Sequence, residues 1–475
     1  MIDGLKPYTE YKESGQTWLG DVPSHWYILP NRAIFEEVKE RGHSDEEMLS
    51  VTIKRGVIRQ KALLADSSKK DGSNQNKLAY KLVCPNDIAY NKMRAWQGAV
   101  GVSNFRGIVS PAYVIMRIRE KNDPRYFHHL FRTPHFAKEA ERWSYGITSD
   151  MWSLRPEHFK MIYMPLPSTD EQAAIVKFLD HATRRLNRAI RAKQKVIALL
   201  NEQRQGIIHR TVTRGLDPDV PLKPSGIPWL GDIPKHWGVV ALGRISTARC
   251  DGPFGSGLKS QHYTDYGIRV IRLQNIGSGH FNDRNTAYIS RAHYNTLGDH
   301  SVIAGDLLVA GLGEERIPAG RACIAPDRIE PAMVKADCFR FRLRKDLVLP
   351  EFIAHDLSAT AKAATACLSR GATRLRINLS SMSSRAIAFP KLQEQKQILS
   401  NVYRDIREAE VAISHREREI TLLREFRTRL IADVVTGKLD VREAARRISD
   451  ETEAVDFAVE NGNFLTDTMT SIRHA

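Results

Sequence analysis

Ser14-Gly15-Gln16-Thr17-Trp18-Leu19-Gly20-Asp21-Val22-Pro23-Ser24-His25-Trp26 returns, 211 residues later, as Ser225-Gly226-Ile227-Pro228-Trp229-Leu230-Gly231-Asp232-Ile233-Pro234-Lys235-His236-Trp237. Two tryptophans, a histidine and a proline recurring in register are too rare a set for chance, so the chain is a duplication. Pro167-x-x-x-Glu171-Gln172-x-x-Ile175 is matched by Pro390-x-x-x-Glu394-Gln395-x-x-Ile398, at an offset of 223. Val212-Thr213-x-x-Leu216-Asp217 is matched by Val435-Thr436-x-x-Leu439-Asp440 at the same offset. The offset grows by 12 between the markers, so each unit keeps its ends and varies its middle. A chain built twice on one design does one job at two places.

After each Glu-Gln pair the apolar residues advance by steps of three and four. The first series is Val176, Leu179, Thr183, Leu186, Ile190, Ile197, Leu200 and Ile207, interrupted at Lys193 and Arg204. The second is Leu399, Val402, Ile406, Ala409, Ile413, Ile420, Leu423, Leu430 and Val434, interrupted at Arg416 and Arg427. A proline-free seam of about five heptads is a coiled-coil pattern, and roughly 40 helical residues reach about 60 Å. Equal lengths and matching interruptions predict that the two helices pair with each other, antiparallel, with a block at each end.

The blocks between the markers mix strand and helix. Ala112–Ile118 and Phe339–Leu343 alternate or are β-rich, and Pro124–Arg132 and Pro350–Ala366 are predicted helices. Gly252-Pro253-Phe254-Gly255-Ser256-Gly257 is a glycine-rich connection, and Asp217–Pro224 reads as an extended linker. The expected fold class is α+β: two pseudo-symmetric blocks of mixed helix and strand, each followed by a long helix. The boundaries read as follows: a lead-in segment 1–26, a first block 27–168, a first long helix 169–214, and a linker with the repeated lead-in 215–237. A second block 238–390 and a second long helix 391–436 come next. The remainder, 437–475, is a weakly patterned acidic appendix compatible with disorder.

A formal charge of +16 and a pI near 9.6 point to a polyanionic partner, nucleic acid before membrane. The charge sits on the blocks. Residues 27–168 hold 23 Lys and Arg against 15 Asp and Glu, and 238–390 hold 20 against 13, whereas the chain from Val435 onward holds 5 against 8. No run approaches the roughly 18 apolar residues of a membrane span, and the N-terminus lacks the apolar core of a signal peptide, so a cytoplasmic protein is expected. The five cysteines are widely separated, with no C-x-x-C. Buried, reduced thiols are expected rather than disulfides or a zinc cluster.

The usual catalytic signatures are missing. There is no G-x-x-x-x-G-K-[ST], no H-E-x-x-H, no G-x-S-x-G, and no Pro-Pro dipeptide, which rules out the Asp/Asn-Pro-Pro-aromatic loop of amino-methylating DNA enzymes. Glu314 and Glu315 read as a polar turn rather than a metal site. The expectation is a non-catalytic DNA-binding chain. A self-contained DNA-modifying enzyme and a coiled-coil scaffold without sequence preference are the rival classes.

The residues resemble the specificity (S) subunits of type I restriction–modification enzymes, over roughly 8 to 440. Trp-Leu-Gly-Asp-(Val/Ile)-Pro-x-His-Trp opening each half is similar to that family's repeated segment. Asn86-Asp87-Ile88-Ala89-Tyr90-Asn91-Lys92-Met93-Arg94 with Trp96-Gln97-Gly98-Ala99, followed by Gly107–Tyr113, resembles one class of target-recognition domain. Asp251–Ser256 with Gly267-Ile268-Arg269-Val270-Ile271-Arg272-Leu273-Gln274-Asn275-Ile276 resembles another. Gly371–Asn378 agrees loosely with a glycine-polar-Ile-Asn turn, and the acidic tail lies outside the resemblance.

The resemblance implies that the two blocks are target-recognition domains, each reading part of a bipartite, asymmetric target in double-stranded DNA, with the paired helices setting the gap. It implies two methyltransferase (M) subunits using S-adenosylmethionine and two ATP- and Mg-dependent restriction (R) subunits as partners, with no cofactor, metal or membrane for this chain. A targeting subunit of a related multi-subunit restriction system is the near alternative. Arg suits guanine, and Asn or Gln suits adenine, in the major groove; Lys and Arg neutralise phosphates. The candidate contacts are Lys54, Arg55, Arg59, Lys61, Asn91, Lys92, Arg94 and Gln97 in the first block. In the second they are Lys259, Arg269, Arg272, Gln274, Asn275, Arg316, Arg374 and Arg376. Trp18, Trp26, Trp229 and Trp237 read as packing anchors, because readers of different half-sites would differ.

Overall fold

A computed structural model of the chain describes residues 5–65, 77–119, 121–147, 151–314, 316–368 and 375–448. The chain divides into two compact units, residues 1–192 with 418–475, and residues 193–417.

The first unit is centred on a four-stranded antiparallel sheet in the order Phe35–Val38, Tyr113–Ile118, Ile88–Asn91, Val100–Val102. Side chains alternate across a strand, and the sheet uses both faces. Ile88, Tyr90, Val114 and Met116 enter one core with Phe35, Tyr126, Phe127, Phe131 and Phe159. Ala89 and Ile115 point into a second core with Leu49, Val51, Val57, Val83 and Val109. Leu49–Thr52 and Gly56–Arg59 form a hairpin. The helices Pro124–Phe131 and Pro134–Arg142 follow two helix-start signals. Asp123 and Thr133 cap them through Arg125 N and Phe136 N, and proline occupies each first turn.

The second unit carries a four-stranded antiparallel sheet, Ser246–Cys250, Cys338–Leu343, Leu307–Ala310, Ala322–Ile324. Beside it in the chain is a mixed five-stranded sheet, Tyr263–Thr264, Tyr288–Ile289, Ile268–Ile271, Ala332–Val334, Ser301–Val302. The predicted helix Pro350–Ala366 is in fact two, Pro350–Ala359 and Ala361–Leu368. The break falls at Thr360, whose hydroxyl bonds back to the Asp356 carbonyl. The predicted linker ends in structure, since Leu222–Pro224 pairs with Asp232–Pro234. Its counterpart in the first unit is Tyr11–Glu13 with Asp21–Pro23.

The long helices are Thr169–Arg214 and Leu392–Val435. Within the first unit, Ile175, Val176, Leu179 and Ala182 share a core with Leu430, Val434 and Val435. Within the second, Val212 shares one with Ile398, Leu399 and Val402. Two of the predicted seam interruptions reach a partner helix. Arg427 donates to Asn187 Oδ1 at 2.6 Å in the first unit. Arg204 lies 3.8 Å from Glu410 in the second. The two pairs share one antiparallel register.

Two expectations need correction. The appendix does not begin at residue 437. Residues 436–448 are folded, with Val441 and Ala445 buried in the first core and Asp440 N donating to Lys6 O at 2.7 Å; residues 449–475 lie outside the described residues. Nor are all the thiols buried. Cys323 and Cys338 are, Cys84 and Cys250 are half-buried, and Cys367 is exposed on its helix.

Candidate nucleic-acid interface

The repeated motifs form a junction at the start of each long helix. In the first unit Glu171 accepts from Tyr8 Oη at 2.6 Å and contacts His25 Nε2 at 2.9 Å. In the second Glu394 contacts His236 Nε2 at 2.8 Å and accepts from Trp237 Nε1 at 3.0 Å. The neighbouring glutamines, both fully buried, face the recognition blocks. Gln172 accepts from Asp123 N and donates to Asn122 Oδ1 and Pro167 O. Gln395 accepts from Leu349 N and donates to Leu347 O and Pro390 O. Glu therefore ties down the lead-in segment, and Gln ties down the helix that begins at Pro124 or Pro350. Trp26 and Trp237 are fully buried, and Trp18 and Trp229 are half-buried.

The first block gathers its candidates on two loops. Lys54 and Arg55 are exposed at the hairpin tip, where Thr52 Oγ1 accepts from Arg55 N at 3.0 Å. Arg59 pairs with Glu47 at 3.2 Å and lies over the Phe105 ring; Lys61 is exposed on the helix that follows. Asn91, Lys92, Arg94 and Gln97 share the turn after Ile88–Asn91. Asn91 Oδ1 accepts from Met93 N, Arg94 and Gln97 are exposed, and Lys92 is half-buried. Gly98 closes the turn at φ +89°.

Arg132, at the C-terminal end of the Pro124–Phe131 helix, joins these loops. Its Nη2 donates to Ile53 O at 2.9 Å and Lys54 O at 2.7 Å, and its Nη1 to Val100 O at 3.0 Å and Gly98 O at 3.4 Å. Burial holds the guanidinium below its ordinary pKa. Beside it, His128 Nδ1 accepts from Val102 N. A Cβ on Gly101 would sit 3.2 Å from the Gly56 Cα and 3.3 Å from the His128 ring, so the two loops meet at backbone contact.

The second block has two groups of candidates. Arg316 is exposed in the turn Glu314–Ile317. Leu312–Gly313 pairs with Leu375–Arg376, and Arg376 pairs with Asp337 at 2.8 Å while lying over Phe254. The other group follows strand Ile268–Ile271. Arg269 is buried, pairs with Asp283 at 2.9 Å and lies over Tyr288. Arg272 donates to Asn285 O, and Gln274 is exposed. Asn275 is fully buried and holds its turn together through Arg272 N, Asn282 O and Arg284 O. Lys259 is exposed at the N-cap of the turn Ser260–His262. Arg374 lies outside the described residues.

Arg321, which is buried where Arg132 is half-buried, joins the two groups. Its Nε donates to Ile276 O at 2.8 Å, Nη2 to Leu273 O at 2.9 Å, and Nη1 to Leu312 O and Pro318 O, both at 3.1 Å. Burial lowers its pKa too. Sequence reasoning singled out neither Arg132 nor Arg321. They share no motif, and a lone arginine reads as solvated surface.

Residues 234–410 match the family model of the type I restriction modification DNA specificity domain. Among solved structures, a chain from a study of complex assembly and conformational transition of the type I restriction–modification system is 14% identical. The match covers 87% of this chain and 98% of that one, with a TM-score of 0.62. The specificity subunit (HsdS) of Thermoanaerobacter tengcongensis is 14% identical over 88% of this chain and 98% of that one, with a TM-score of 0.44. The class defined is a two-unit chain of mixed recognition blocks and long helices, carrying a type I specificity domain. The match to that model ties residues 234–410 to DNA sequence specificity in type I restriction modification. No described helix is long and apolar enough to cross a membrane.

Proposed function

We propose that each unit reads one half of a bipartite, asymmetric DNA target and that the chain itself catalyses nothing. The observation that carries this is the contrast between a shared junction and unshared loops. Glu-His and Gln-backbone contacts repeat in both units, while the candidate contacts lie on a hairpin and turn in one and on two turns and a strand pair in the other. Equal frames with unequal readers suit unequal half-sites. The paired long helices would set the number of unread base pairs between them.

Catalysis would then reside in partners: two methyltransferase subunits with S-adenosylmethionine, and two restriction subunits with ATP and Mg. Support comes from the resemblance of the motifs and from the fold shared with a chain studied within a type I assembly. The test is a selection from randomised duplex DNA with the full chain, alone and with a methyltransferase partner. Enrichment of two unrelated short motifs at fixed spacing is expected; a perfect palindrome would overturn the reading.

A further inference from the structure

We propose that Arg132 and Arg321 are positioning residues, each locking the two reading loops of its own unit into one surface. The inference rests on the reading given under Proposed function. In each unit one guanidinium donates to four backbone carbonyls, two from each of two loops that carry candidate contacts. Arg132 ties the Lys54–Arg55 tip to the turn ending at Gly98; Arg321 ties the turn of Gln274 to that of Arg316. Among the described residues, neither has a carboxylate within ion-pair distance.

A cation held wholly or half out of water without an ion-pair partner is costly, and carbonyls at a surface can be satisfied by water. A side chain chosen only for stability would be apolar or paired. What the guanidinium adds is geometry: its planar fork can hold several acceptors at fixed angles, which an ammonium cannot. Base reading needs that, since hydrogen bonds to base edges are lost when the donors shift by a fraction of an ångström.

Inheritance does not account for the coincidence. Arg132 caps the end of a helix and Arg321 immediately precedes a strand, and they are 189 residues apart, whereas the duplicated markers are 211 or 223 apart. Each is nevertheless reached from the long-helix junction through a single helix. Gln172 holds the start of Pro124–Phe131, which ends at Arg132. Gln395 holds the start of Pro350–Ala359, whose Ser358 bonds both N and O of Ala322, next to Arg321. The loops are thus referenced to the helix that would set the spacing.

The test uses the full chain, with Arg132→Met, Arg132→Lys, Arg321→Met and Arg321→Lys, and selection from a randomised duplex pool. The Arg132 variants should lose discrimination at one half-site by about tenfold or more per base pair and keep the other half-site intact. The Arg321 variants should do the mirror. The lysine variants keep the charge but not the fork, so they should be as relaxed as the methionine ones, and they carry the test where methionine prevents folding. Unchanged discrimination, equal relaxation of both half-sites, or full function with lysine would each overturn the inference. A wild-type chain that enriches no bipartite sequence would instead overturn the functional reading, and this inference with it.

Discussion

Glu171 holds Tyr8 and His25, which lie 163 and 146 residues earlier in the chain. It is almost wholly buried, whereas Glu394 at the matching junction is partly open to solvent. Burial and the carboxylate push the Tyr8 phenol far above its ordinary pKa, keeping it a donor. Removing one partner of a buried hydrogen bond costs about 1–3 kcal/mol. Glu171→Ala should therefore destabilise its unit by about that much, and more than Glu394→Ala does; unit-resolved hydrogen exchange would show it, and equal effects would contradict it.

A second expectation concerns protons. Burial lowers His128 to about 3 and His129 to about 4. His129 lies 3.5 Å from Asp180, but Arg125 already holds that carboxylate, so the imidazole stays neutral. The unfolded chain takes up these protons below its ordinary value near 6.5 and the folded chain does not. Stability should thus be lost as pH falls from about 6.5 towards 4, by about 1.4 kcal/mol per pH unit per histidine. His128→Asn, which retains an acceptor for Val102 N, should remove one histidine's share of that slope in thermal melts across this range. An unchanged slope would show that His128 is already charged in the fold.

The long helices are the elements most legible in the sequence, because a period of three and four over tens of residues has few alternative readings. Even their interruptions carried meaning, as Arg427 with Asn187 and Arg204 with Glu410 show. The Glu-Gln markers were legible as repeats but not as clamps, since their partners lie in distant segments. The fold of residues 436–448 was hidden by its weak apolar patterning; what holds it is the burial of Val441 and Ala445. Among the site candidates, Asn275 looked like a reader because residue type says nothing of burial. Deleting one heptad from each long helix shortens the pair by about 10 Å. The permitted gap between half-sites should contract while both half-site sequences persist; altered half-site identity would refute a ruler role for the helices.

At the scale of the whole molecule, a net charge of +16, with +8 and +7 on two blocks that differ in their loops and +6 on the first long helix, suits broad phosphate binding with selective base reading. Binding to random duplex should weaken steeply with salt, while the ratio of specific to random binding changes less; titrations at several salt concentrations would detect the opposite behaviour. On the proposed reading, one chain supplies two dissimilar addresses to catalysts held by other subunits. The most direct measurement is genome-wide mapping of DNA methylation in cells with and without this chain, the partner subunits being present in both. A modified motif of two unrelated parts at fixed spacing, lost when the chain is removed, is the expected result. Methylation that persists without the chain, or a single contiguous motif, would contradict it.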